Sequence, residues 1–157
     1  MKQYIQKNFN TVYKATIGAD FLAKELILGE HLITMQIWDT AGGEKFQSLQ
    51  APFYNGADAC MIVFDLTIPA TFNTINSWKD EMLMYVKSDI NTFPFILVGN
   101  KADLKEERRV SEEKIMQWCK ENGDMMYFET SAKTASQVKE AFEELAKKAM
   151  KGKTLRS

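Results

Sequence analysis

This chain of 157 residues has one histidine, two cysteines and three prolines. His31 has no second ligand-type residue close by, so no His-based metal cluster is expected; a surface position at a hairpin end is. Cys60 and Cys119 each sit among apolar neighbours. That excludes a disulfide framework and predicts buried, reduced thiols. No apolar run reaches membrane-spanning length, and the amino end has no signal-peptide pattern. A net charge of −1 argues against a general nucleic-acid surface. No cysteine near the end could carry a prenyl group. Repeats, low-complexity segments and linkers are also missing, so a cytoplasmic protein is expected.

What is present suits one soluble domain spanning 1–157, with 151–157 a basic tail. The chain is 45% hydrophobic and 26% charged, and long enough to bury a sizeable core. Tyr4, Ile5 and Phe9 fit the apolar edge of a helix that is ending. Asn10 to Asp20 reads as a polar loop. Phe21 to Leu28 and Leu32 to Trp38 read as strands of a hairpin around Gly29-Glu30. Phe46 to Tyr54 suggests a short helix broken near Pro52. The unbroken apolar run to Phe64 predicts a strand buried on both faces of a parallel sheet. Phe72, Ile75, Trp78, Met82 and Val86 follow at helical spacing. Phe93 to Val98 and Met125 to Phe128 predict two more strands. Ser111 and Ser136 are placed to cap helices. The nine methionines read as core filler, and Lys105 to Arg109 as a solvated loop. Strand followed by helix, repeated, predicts an α/β fold with a mainly parallel open sheet flanked by helices.

In such sheets chemistry gathers beyond the carboxyl ends of the strands. Three strand ends carry polar motifs. In Trp38-Asp39-Thr40-Ala41-Gly42-Gly43-Glu44, a carboxylate can face a magnesium ion through water, and a glycine N–H can approach a phosphate. An ordinary strand-to-loop turn accounts for those residues too. In Asn100-Lys101-Ala102-Asp103, the carboxylate can accept from the N1–H and 2-amino groups of guanine, a pattern adenine does not offer. Asn100 can hold a purine edge or tie two loops together. The stem of Lys101 can cover a base face while its ammonium stays in water. In Ser131-Ala132-Lys133, backbone N–H groups can donate to the guanine 6-oxo group. Each motif alone has a bland explanation; all three in this order do not arise readily by chance.

Together these residues resemble the Ras-superfamily small GTPases, and within them the Rab branch. The segment Tyr13 to Leu22, with Phe46-Gln47-Ser48-Leu49 and Phe53-Tyr54, is similar to the late-endosomal and lysosomal Rabs. The resemblance covers about Met1 to Lys148. It implies the P-loop small GTPase fold and a switch in vesicle traffic that binds GTP, GDP and Mg2+. Thr16 would ligate magnesium and sense the γ-phosphate, Asp39 would hold magnesium through water, and Gly42 would donate to the γ-phosphate. Tyr13 would lie over the nucleotide. Asn100, Lys101, Asp103, Ser131, Ala132 and Lys133 would bind guanine. The loops Asn10 to Asp20 and Gly42 to Phe53 would be ordered by GTP. Phe21, Trp38 and Phe53 would face effectors, although plain packing accounts for them equally well. Implied partners are an effector, an exchange factor, a GTPase-activating protein and escort proteins. A membrane would be reached only through a lipid anchor that these residues do not supply.

Two departures follow from that resemblance. No G-x-x-x-x-G-K-[ST] loop is present to wrap the α- and β-phosphates; Gly152-Lys153-Thr154 is a chance match. The family's first strand, P-loop and most of its first helix are therefore missing. The sheet should open between the Leu32–Trp38 and Cys60–Phe64 strands, leaving unpaired edges and exposed apolar side chains. Second, Gly43 stands where the family places the glutamine that orients the attacking water. Unaided hydrolysis should be weak at most. The alternatives are a non-enzymatic interaction module, or an incomplete GTPase that binds no nucleotide.

Overall fold

The computed structural model describes residues 1–12, 14–42, 51–88 and 90–154. The chain divides into two compact units, Met1–Ala57 and Asp58–Ser157. In the first, α1 (Lys2–Gln6) is a short helix that ends where Lys7 turns left-handed at φ 51°. Tyr4 is buried, and the Lys24 ammonium sits 3.7 Å from its ring centroid and donates to its carbonyl at 3.0 Å. The predicted hairpin is formed by β1 (Ala19–Leu28) and β2 (His31–Thr40), antiparallel. Gly29, at φ 61°, opens the two-residue connection, where a residue with a Cβ is disfavoured. Burial alternates along both strands, as one covered face requires.

Both strands run longer than the apolar pattern suggested. Asp39 pairs with Asp20 and Thr40 with Ala19, and the Ala41 N–H donates to the Gly18 carbonyl at 2.9 Å. Backbone pairing carries the ladder past the last apolar residue, so Asp39 lies inside a strand, not at the start of a turn. Pro52 is the second residue of α2 (Ala51–Tyr54), so the break expected near it falls at the boundary of the described residues. Residues 43–50, which include most of the expected helix start, lie outside the described residues.

The second unit is a parallel sheet, ordered β3-β4-β5, of β3 (Cys60–Asp65), β4 (Phe95–Asn100) and β5 (Met126–Glu129). β4 is its centre and is buried along five consecutive residues. α6 (Val138–Thr154) covers one face, packing Ala141 and Leu145 on Ile96 and Val98. On the other face Phe64 meets the Phe72 ring edge-on at 5.0 Å and stacks with Tyr127 at 6.4 Å. The single helix expected around Phe72 to Val86 is two, α3 (Pro69–Asn73) and α4 (Ile75–Val86), parted at Thr74. α5 (Glu112–Glu121) buries Ile115, Trp118 and Cys119, and Ser111 caps it by accepting from the Lys114 N–H at 3.4 Å.

Three expectations need correction here. β3 is not buried on both faces: Val63 is 53% exposed. β3 pairs with β4 alone among the described residues, so it stands at an edge of the described sheet. Ser136 stands two residues before α6, and Gln137, at φ 52°, separates them; its carbonyl instead accepts from the Ser131 N–H at 3.1 Å. The presumed tail begins inside α6, which continues to Thr154. Both cysteines are free. Burial pushes Cys60 up to about 12 and Cys119 up to about 11, so neither is a ready nucleophile. Among the described residues no helix is long and apolar enough to cross a membrane.

Candidate functional site

The carboxyl ends of β4 and β5 converge in a closed hydrogen-bond network. The Thr130 N–H donates to the Gly99 carbonyl at 2.8 Å, and the Ala102 N–H to the Thr130 carbonyl at 3.0 Å. These bonds continue the sheet ladder into the two loops and set their spacing. Asn100 Oδ1 then accepts from the Ala132 N–H at 3.1 Å and the Thr130 hydroxyl at 3.3 Å. Of the two uses open to Asn100, tying loops together is the one seen. The Ser131 hydroxyl donates to Asp103 Oδ1 at 2.6 Å and accepts from the Thr134 N–H at 3.1 Å. Among the described residues Thr130 and Ser131 are the buried polar ones of this unit. Burial is tolerable because their hydroxyls have partners. The network leaves the Asp103 carboxylate fixed by one oxygen, at the rim of the two loops. Asn100, Asp103, Ser131 and Ala132 are thus brought together from positions about thirty residues apart in sequence. Lys133 is exposed beside them.

Lys101 is placed differently from expectation. Its backbone is left-handed at φ 68°, and its ammonium, on a side chain still 48% exposed, is held by a partner. It pairs with Asp65 Oδ2 at 2.7 Å. Asp65 Oδ1 accepts from both the N–H and the hydroxyl of Thr67, at 2.8 and 2.6 Å. Burial acts to raise the Asp65 carboxyl, but the hydrogen bonds from Lys101 and Thr67 together outweigh it and hold the group below its ordinary value. Asp65 and Thr67 were missed in sequence. The available signal was position: Asp65 ends an apolar strand, as Asn100 does.

A second brace lies behind the Ser131 loop. Arg108 donates to both carboxylate oxygens of Glu129, at 2.8 and 2.7 Å, and through Nε to the Val110 carbonyl at 2.9 Å. The Tyr127 hydroxyl adds a bond to Glu129 at 2.9 Å. Burial opposes ionisation of Glu129, yet Arg108 and Tyr127 hold it below the ordinary glutamate value. Burial, then the bond to Glu129, raises Tyr127. Lys105 to Arg109 is therefore not a plain solvated loop. Nothing in its charge pattern marks Arg108 as different from Arg109; only its partner, 21 residues away, does.

In the first unit, Thr16 is half-buried and Gly42 is exposed. Burial raises the Asp39 carboxyl, with the Met1 ammonium opposing and Asp20 adding to the shift. Its oxygen and the Thr16 hydroxyl are hard donors, the type that suits Mg2+ held mostly through water. No cluster of three or more His, Cys, Asp or Glu side chains able to hold a metal exists among the described residues. The donors present therefore fit a magnesium ion that draws most of its shell from water and phosphate. They do not fit an all-protein cage. Phe21 and Trp38 stack tilted at 4.7 Å, and Trp38 and Phe53 at 5.1 Å. Phe21 is 42% and Trp38 47% exposed, so this cluster is not core. His31 is exposed, as expected. Tyr13 and Gly43 lie outside the described residues. Thr16, Asp39 and Gly42 belong to one unit, and the Asn100, Asp103 and Ser131 loops to the other.

Comparison with known proteins matches residues 1–151 to the Ras family. The chain is 49% identical to the Ras-related protein Rab-7a of Paramecium octaurelia over 150 residues, covering 95% of the chain and 73% of that protein. It is 51% identical to the Ypt/Rab-type GTPase ypt7 of Schizosaccharomyces pombe, covering 96% of the chain and 74% of that protein. Against the Ras-related protein Rab-7a of Dictyostelium discoideum it is 49% identical, with 96% and 75% covered.

Proposed function

Because this chain belongs to the Ras family, and within it to the Rab branch alongside the Rab7 proteins, we propose that it is a guanine-nucleotide-dependent switch of endosomal membrane traffic. The observation that carries this reading is the Asn100–Ser131–Asp103 network. It fixes one oxygen of Asp103 and leaves the carboxylate to accept from the two N–H donors on the guanine edge. Adenine lacks that donor pair, so Asp103 selects the base. Lys101 and Lys133 contribute their stems at the base faces, and Ser131 holds the carboxylate in place. Tyr13 lies over the nucleotide in this reading.

Thr16 and Asp39 would hold magnesium, and Gly42 would donate to the γ-phosphate. When bound, the ion neutralises phosphate charge. No G-x-x-x-x-G-K-[ST] segment lies within these 157 residues. Gly43 offers no side chain to orient water, which keeps unaided hydrolysis weak. The half-exposed Phe21–Trp38–Phe53 cluster favours a second reading, an interaction module that engages effectors without cycling nucleotide.

Titration of a fluorescent GDP analogue tests the proposal, with GDP, inosine diphosphate and ADP as competitors. GDP should displace the probe, inosine diphosphate more weakly because it lacks the 2-amino donor, and ADP not at all. Asp103→Asn should weaken GDP about 10-fold or more, from the loss of charge-assisted hydrogen bonds of about 1.5–3 kcal/mol. A folded chain with no saturable GDP binding would overturn the switch reading and leave the interaction module.

A further inference from the structure

We infer that Asp65 is a positioning residue for the guanine-binding loop: it presets the Lys101 side chain as a platform for the base. This deepens the nucleotide-binding reading and rests on it. The Lys101 stem is long, and free in solution it samples many rotamers that base binding would have to restrict. In this structure the restriction already exists. The ammonium is held at 2.7 Å by Asp65 Oδ2. The carboxylate cannot swing away, because Thr67 donates to its other oxygen twice, at 2.8 and 2.6 Å.

The turn carrying Asp65 is itself anchored on several sides. Its own N–H donates to the Thr71 hydroxyl at 2.9 Å. The next N–H, of Leu66, donates to the Asn100 carbonyl at 3.1 Å, one residue before Lys101. The Leu66 carbonyl accepts from Arg109 and Val110, at 2.9 and 3.2 Å. Leu66 is 2% exposed, so its side chain pins the turn to the core. Backbone and side chain therefore fix the Asp65–Lys101 distance from both ends. The Asp65 side chain is 14% exposed, whereas that of Lys101 is 48% exposed. A half-buried anchor holding a more exposed side chain is the arrangement a platform needs. A pair serving stability alone has no need of the exposed stem, nor of the left-handed backbone at Lys101 that directs it.

A double-mutant cycle on GDP affinity tests this, using Asp65→Asn, Lys101→Met and the pair. Asp65→Asn should weaken GDP and inosine diphosphate alike, by about threefold to tenfold, since immobilising one long side chain has that size of effect. Base preference, which Asp103 sets, should not move. In the Lys101→Met background the Asp65 change should have no further effect, and Asp65→Glu should recover part of the loss. Equal losses in both backgrounds would show that Asp65 acts only on folding, as would no loss at all, and the positioning role would fall while GDP binding stood. A chain that binds no GDP overturns the switch reading and the positioning role together.

Discussion

The two units hold their polar groups in opposite ways. In Asp58–Ser157 nearly every functional side chain is answered: Asn100 by Ala132, Asp103 by Ser131, Lys101 by Asp65, and Glu129 by Arg108 and Tyr127. These bonds stand on a sheet whose centre, Ile96 and Leu97, is fully buried. In Met1–Ala57 the hairpin keeps Ile27 72% and Leu32 68% exposed, with Trp38 and Phe21 nearly half so, and Ile17 in the loop before it is 82% exposed. One unit is prebuilt, as the reading of a flat, rigid base that we propose for it requires. The other leaves large apolar side chains exposed. A site that must discriminate gains from preorganisation, and a switch loses by it.

The sharpest way to break that contrast is to cut the same side chain from each unit. Ile96→Ala should destabilise its unit by about 2–5 kcal/mol, because a fully buried isoleucine leaves a cavity between β4 and α6. Ile27→Ala, at the exposed hairpin end, should change stability by no more than about 0.5 kcal/mol. Denaturant melts followed by tryptophan fluorescence and far-UV circular dichroism measure both. Similar losses at the two positions would mean the hairpin face is covered.

A smaller effect is expected at the brace. Arg108→Met should cost about 1–3 kcal/mol, because Glu129 then keeps only Tyr127. GDP binding should weaken with it, as the Ser131 loop loosens. The same brace predicts acid sensitivity of one sign. Asp65 and Glu129 both titrate lower in the folded chain than their ordinary values of 3.8 and 4.5. Their contribution is complete above those values and disappears as pH falls through the folded ones. Acid titration followed at Trp118 should show this loss, and Arg108→Met should make it shallower. An unchanged acid profile in that variant would remove Glu129 from the account.

The smallest effect belongs to Ser111→Ala, the cap of α5. It should cost about 0.5–1 kcal/mol, at the lower end for caps because the bond is long at 3.4 Å. Loss of helix signal well beyond that would place α5 on the hairpin's side of the comparison, marginal rather than anchored.

Much of this was readable from composition and spacing. Apolar runs marked β3, β4 and β5 to within a few residues, since a strand buried in a parallel sheet must be apolar throughout. Polar motifs after those runs marked the loops where Asn100, Asp103 and Ser131 meet. Pattern could not show where pairing outlasts apolarity. Asp20 and Asp39 join the hairpin ladder through backbone bonds, which carry no side-chain signature. Nor could it show that Thr74 divides one helical face into two helices.

The sequence by itself determined the parallel α/β order, the hairpin turn at Gly29 and the identity of Asp103 as the carboxylate we propose reads the base. Each depends on local chemistry: a run of apolar side chains, a glycine at positive φ, a carboxylate where two donors must be met. Only the tertiary structure decided who holds whom. Lys101 and Asp65 lie 36 residues apart and Arg108 and Glu129 lie 21 apart. An ion pair depends on distance through space, and that distance is set when β3, β4 and β5 align. The same alignment leaves Val63 at an open edge, although its neighbours in sequence read as core.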